Sequence, residues 1–391
     1  MVAGQERARR WRLVLGGAPD GEGTGYKLDG GDAAIDAALA ALYDADRPDS
    51  GDDRGGRAGG LNASAPRVAR WLRDIRRYFP ATVVQVMQAD AIERLDLARL
   101  LVEPELLDAV EPDIHLVSTL LSLNRVMPER SKAAARRVVA KVVAELSRKL
   151  TQPTRSALTG AVNRAARGAR PRGGDIDWDR TIRANLRHYR PELGTVVPER
   201  LIGYGRRTNA VQRDVVLLVD QSGSMAASVV YASVFAAVLA SLRTLRTSLV
   251  VFDTAVADLT DKLADPVEVL FGTQLGGGTD INRAIAYAQR LISRPRETIL
   301  LLISDLYEGG SPEEMLARIA GLTATGVQVI VLLALSDEGA PDYDHDTAAV
   351  LASLGVPAFA CTPDVFPELM AAAIEGRDLR QVMERAMPAA G

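Results

Sequence analysis

The sequence predicts an α/β protein: a C-terminal doubly wound, mostly parallel sheet flanked by helices, preceded by an all-α N-terminal region. Three observations carry this. After Arg213, short apolar runs at 215–219, 249–252, 299–303, 327–335 and 356–360 alternate with helical stretches. Continuously apolar, β-branched runs separated by helices belong to parallel sheets covered on both faces. The intervening stretches carry apolar residues at helical spacing, as in Val230, Val234, Val238 and Leu242. Between Ala65 and residue 150 the apolar spacing is helical as well.

Taken in order, residues 1–65 read as a poorly defined N-terminal segment with a flexible linker. The first 31 are Gly-rich and mixed in charge. A helix is predicted over 33–43, with Ile35, Leu39 and Leu42 on one face, and 44–60 hold almost no apolar residues. Residues 66–150 read as a helical domain. Val68, Leu72 and Ile75 share a face, and the clearest helix runs over 131–150 with Val138, Val139, Val142, Val143 and Leu146 in one stripe. Lys132, Arg136, Arg137 and Lys141 fall largely elsewhere and read as a solvated face. Residues 151–205 read as a basic linker and connecting segment, since 151–174 carry five arginines and no acid. The α/β domain is placed at 206–375 and a C-terminal tail at 376–391.

The composition bounds the function. The chain has 391 residues, 47% hydrophobic and 25% charged, which excludes wholesale disorder. A net charge of −3 argues against holding nucleic acid by bulk basicity. A single cysteine rules out a disulfide framework and a cysteine zinc site. No apolar run is read as approaching the ~18 residues of a membrane span, and no signal peptide is read, so the expected location is the cytoplasm.

In a doubly wound sheet, ligands bind beyond the carboxyl ends of the strands. Three segments there stand out. Asp220-Gln-Ser222-Gly-Ser224-Met follows the first run, Gly276-Gly-Gly-Thr279-Asp280 precedes a helix, and Ser304-Asp305 follows the third run. They offer carboxylates and hydroxyls but no sulfur or imidazole, which suits a hard divalent cation, Mg²⁺ first. Glycines let the second loop approach closely. Asp280 reads as the cap of the following helix.

These motifs resemble the metal-ion-dependent adhesion site of von Willebrand factor A (VWA) domains. The resemblance implies a mostly parallel sheet flanked by helices, and as metal ligands Asp220, Ser222, Ser224, Thr279 and Asp305, holding Mg²⁺ with Mn²⁺ as a substitute. Upstream, Asp177-Trp-Asp-Arg-Thr-Ile-Arg183 and Met127-Pro-Glu-Arg-Ser-Lys132 are similar to CoxE-like bacterial proteins encoded with MoxR-type AAA+ ATPases. That likeness implies a non-enzymatic, metal-dependent adaptor. Its partners would be a MoxR-type ATPase and a client donating Asp or Glu to the metal, in client remodelling or metal-cofactor maturation. The alternative is a non-motor subunit of a magnesium or cobalt chelatase-like complex, whose usual acidic, Pro-rich linker is replaced here by a basic one.

Other chemistries lack their residues. There is no P-loop sequence and no nucleophile elbow around Ser222. His115, His188 and His345 are scattered. The Asp342-x-Asp344-x-Asp346 run departs from a calcium loop at Thr347 and Ser353, and reads as an acidic solvated loop near the metal edge. Cys361 reads as a core residue.

Overall fold

The computed structural model describes residues 2–15, 26–43, 65–94, 101, 107, 109–124, 126–168, 176–202, 213–273, 277–336 and 341–386. The expected linker at 44–60 and Gly276 lie outside them. The chain divides into two compact units, 1–142 and 143–391, and the division falls inside one 40-residue helix.

In the first unit the regular structure among the described residues is helical. It comprises α1 (Val2–Leu15), α2 (Gly30–Tyr43), α3 (Ala65–Tyr78), α4 (Ala81–Arg94), α5 (Ile114–Leu123) and the start of α6 (Glu129–Gly168). Val68, Leu72 and Ile75 are buried as their spacing predicts, and Trp71 donates its indole N–H to the Ala38 carbonyl (2.8 Å). Helix α1 lies where the sequence suggested an irregular segment. Ion pairs hold it, Arg9 with Asp32 (2.7 Å) and Arg12 with Asp36 (3.0 Å), so it leaves no apolar periodicity to read.

The larger correction concerns the expected basic linker. Helix α6 continues through Gly168, and within 151–205 only 169–175 and 203–205 fall outside the described residues. Thr154, Leu158, Ala161 and Val162 follow helical spacing and are buried. Counting arginines hid that stripe, and Pro153 lies within the helix despite its missing N–H.

The second unit opens with the rest of α6, followed by a connector of α7 (Trp178–Ala184) and a hairpin of β1 (Tyr189–Arg190) and β2 (Thr195–Val196). Its sheet contains β3 (Arg213–Asp220), β4 (Leu245–Phe252), β5 (Val256–Asp258), β6 (Thr298–Ile303), β7 (Gln328–Leu335) and β8 (Ala358–Cys361) in the order β5-β4-β3-β6-β7-β8. All neighbours are parallel except β4 and β5. The three-residue β5 is too short and too exposed to signal itself in the sequence.

Around the sheet lie α8 (Ala226–Ala240), α9 (Pro266–Gly272), α10 (Ile281–Leu291), α11 (Pro312–Ala324), α12 (His345–Ser353), α13 (Phe366–Glu375) and α14 (Leu379–Ala386). Residues Gly223–Ala240, with mean hydropathy 1.8, are long and apolar enough to span a membrane, contrary to the sequence reading. They are 72% buried within the protein, where α8 packs on the sheet and Ser228 Oγ accepts from the Leu335 N–H of β7 (3.0 Å). The expected tail carries α14, with Leu379, Val382 and Met383 buried.

From central β3 the chain runs to β4 on one side and later to β6 on the other, so the sheet reverses direction at β3. Loops leaving β3 and β6 therefore diverge, and a crevice opens at their carboxyl ends.

Candidate metal centre

Asp220 is the last residue of β3 and is fully buried. Its Oδ1 accepts from the Ser222 N–H (2.8 Å), an Asx-type turn that aims the Ser222 and Ser224 loop over the strand end. Its Oδ2 accepts from the Ser304 hydroxyl (2.8 Å), the residue directly after β6. Ser222 Oγ and Ser224 Oγ are 3.2 Å apart, and Ser224 Oγ donates to Asp305 Oδ2 (2.5 Å). Asp220, Ser222, Ser224 and Asp305 thus form one hydrogen-bonded chain across the β3 and β6 ends. Thr279, also buried, lies on the 277–280 loop, and its backbone ties that loop to the one after Asp305: its carbonyl accepts from the Gly309 N–H (2.8 Å).

The electrostatics are unbalanced. Burial pushes the Asp220 carboxyl up to about 6; hydrogen bonds from Ser222 and Ser304 oppose this and the Asp305 charge adds to it. None of the ion pairs among the described residues involves Asp220 or Asp305. No group of three or more His, Cys, Asp or Glu converges among the described residues, so a cation here would rest on two carboxylates plus hydroxyls. That donor set fits Mg²⁺ or Mn²⁺, and a dication would offset both charges.

Two further residues brace the site: Ser304, already part of the Ser304-Asp305 segment noted in the sequence, and Glu308, which the sequence reading missed. Ser304 bridges Asp220 and the Leu306 N–H (3.1 Å), and Leu306 adopts φ 68°, a left-handed conformation uncommon for leucine, directly after Asp305. Glu308 accepts from the N–H groups of Ile281 (2.7 Å), Asn282 (3.3 Å) and Gly310 (2.8 Å), tying the Asp305 loop to the start of α10 behind Thr279. No spacing rule marks Glu308, because its carboxylate binds loop backbone.

A family model described as VWA domain containing CoxE-like protein matches residues 146–370. The uncharacterized protein YehP of Escherichia coli (strain K12) is 38% identical over 356 residues, covering 91% of this chain and 93% of YehP. The chain belongs to the CoxE-like VWA family. Among solved structures, the von Willebrand factor type A protein from Catenulispora acidiphila is 16% identical, with a TM-score of 0.35 over 43% of this chain and 44% of that one. The Deinococcus radiodurans RO (RSR) protein is 15% identical, with a TM-score of 0.31 over 96% and 74%.

Within the VWA domain the remaining sequence candidates are accounted for. Asp280 caps α10, accepting from the Arg283 N–H (2.8 Å). The acidic run lies at the site's edge, where the Asp344 N–H donates to the Asp305 carbonyl (2.9 Å). Asp344 caps α12, and its hydrogen bond from the Thr347 N–H holds its carboxyl below the usual range. His345 stacks on Tyr343 (ring centroids 4.1 Å apart), while in the connector His188 lies against Glu199 (3.0 Å). Cys361 is buried, and burial pushes its thiol up to about 12.

Proposed function

We propose that this protein is a non-enzymatic, metal-dependent binding adaptor that works with a MoxR-type AAA+ ATPase. The observation that carries the reading is the hydrogen-bonded chain from Asp220 through Ser222 and Ser224 to Asp305, buried at one end and with no ion-pair partner among the described residues. Asp220, Ser222, Ser224, Thr279 and Asp305 would hold Mg²⁺ or Mn²⁺. The bound ion would supply a Lewis-acidic position that an Asp or Glu of a client protein can occupy. Asp220 and Asp305 offset the ion's charge, and the hydroxyls add donors without adding charge. The strand ends fix Asp220 and Asp305, whereas Thr279 sits on a glycine-bearing loop at Gly277, φ 140°, and can adjust. Membership of the CoxE-like family supports the ATPase partnership.

The test is capture of a MoxR-type ATPase from the same genome, and of its client, by the full-length protein in Mg²⁺ and in EDTA. Capture in Mg²⁺, lost in EDTA and in Asp220→Ala, is expected. Thr279→Ala should weaken capture more than it weakens Mg²⁺ binding measured by calorimetry. Capture indifferent to EDTA would contradict the proposal.

A further inference from the structure

The connector at 176–202 is folded inside out. Its buried side chains include three polar ones, Asp177, Thr181 and Asn185. Asp177 accepts from the Arg180 N–H (3.0 Å), and its own N–H donates to the Ile202 carbonyl (2.8 Å). Thr181 Oγ1 accepts from the Ile202 N–H (2.9 Å). Asn185 ties the two ends of the segment together: Nδ2 donates to the Thr181 (2.7 Å) and Arg200 (2.8 Å) carbonyls, and Oδ1 accepts from the Glu199 (3.0 Å) and Arg200 (3.2 Å) N–H groups. The polar interior gives the segment a defined shape.

Its large apolar side chains point outward. Trp178, Ile182, Leu186, Tyr189, Leu193 and Val197 are each between 43% and 68% exposed. The first three follow one another at four-residue spacing through α7 and the turn Leu186–His188. Leu193 stands at the hairpin tip, in a turn opened by Pro191 and closed by Gly194 at φ 61°. Single exposed apolar residues are ordinary, but this many on one short, hydrogen-bonded scaffold mark an interaction site. The same segment exposes Arg180, Arg183, Arg187, Arg190 and Arg200. Arg180 pairs with the buried Asp177 (3.7 Å) and Arg187 with Glu199 (3.3 Å), leaving Arg183, Arg190 and Arg200 against Asp179 and Glu192, a small positive excess in a chain of net charge −3.

We propose that this face docks a protein segment presenting apolar side chains flanked by carboxylates, such as an acidic amphipathic helix. The apolar row supplies affinity, and the arginine surround selects for acid and against basic segments. Single-stranded nucleic acid suits the face less well. Among the described residues of the segment, Trp178 and Tyr189 are its exposed rings, the partly buried His188 being held by Glu199, and Asp179, Glu192 and Glu199 would face phosphates. The surface involves none of the candidate metal ligands, so it is tested in EDTA, where the metal-centre reading is silent.

The experiment selects a random peptide library against the full-length protein. Selected peptides should intersperse apolar residues with Asp or Glu. Their binding should weaken about tenfold or more in Trp178→Ser, and also in the double variant Arg183→Glu, Arg190→Glu. It should fall with added salt and be unaffected by Val126→Ser, an exposed valine elsewhere. All variants replace exposed side chains, and unchanged melting curves confirm that they fold. Four results would overturn the proposal: no binding peptides, peptides without acidic bias or indifferent to both variants, tighter binding of a thymidine oligonucleotide than of any peptide, or a wild-type dimer that Trp178→Ser converts to monomer.

Discussion

Strand β3 carries a buried aspartate near each end, and the two are treated oppositely. Asp214 is clasped by the Arg294 guanidinium, whose Nη2 and Nε lie 2.6 and 3.1 Å from its oxygens, and Arg294 also pairs with Glu297. Six residues along the same strand, Asp220 receives a serine hydroxyl and a backbone N–H, and stands near a second carboxylate. Hydrogen bonds lower the cost of burying a charge but do not cancel it. The chain therefore neutralises the aspartate at the amino end of the sheet, whereas the one at the carboxyl end, where ligands bind in such sheets, has no cationic partner among the described residues; the proposed Mg²⁺ would supply one.

Several substitutions sharpen this contrast. Arg294→Ala strands Asp214 in the interior and should give the largest fall in melting temperature, several degrees in a thermal scan; an unchanged melt would mean that Asp214 finds another partner. Asp220→Asn should have the opposite sign in metal-free protein. The folded pKa of Asp220 is raised above the usual 3.8 to about 6. Its favourable, protonated contribution is present below pH ~4 and lost as pH rises through ~6. In EDTA the wild type should thus lose on the order of 3 kcal/mol across that window relative to Asp220→Asn, measured by urea titration at stepped pH.

Gly309→Ala would place a methyl group 2.7 Å from the Thr279 carbonyl oxygen. Relief requires the Thr279 loop to move, at a cost of about 1–3 kcal/mol, with a weaker Mg²⁺ response by calorimetry. The smallest effect is at Cys361, the chain's single cysteine. With its thiol buried and its pKa pushed to about 12, it should resist thiol reagents at pH 8 until the protein unfolds.

Much of the α/β half was legible because burial on both faces writes itself as continuous apolar runs. The predicted 215–219 and 299–303 became the cores of β3 and β6, each buried along its length. The candidate loops were legible because their residues lie at strand ends, where topology alone brings Asp220 and Asp305 together. What remained hidden shares one property: its order comes from polar contacts between distant positions. Helix α1 rests on Arg9 and Arg12, the connector on Asn185, and part of the site's bracing on Glu308. None of these has a period. The error at 151–168 is different, since Leu158, Ala161 and Val162 did carry a helical stripe that charge composition outweighed.

The central claim is that Asp220 awaits a cation. The direct measurement is the melting of wild type and Asp220→Asn at pH 7.5, each in EDTA and in millimolar Mg²⁺. The account predicts that Asp220→Asn is the more stable protein in EDTA, that Mg²⁺ raises the wild-type melting temperature through preferential binding to the folded state, and that the variant does not respond. Equal responses of both proteins to Mg²⁺, or a wild type that ignores it, would contradict the account.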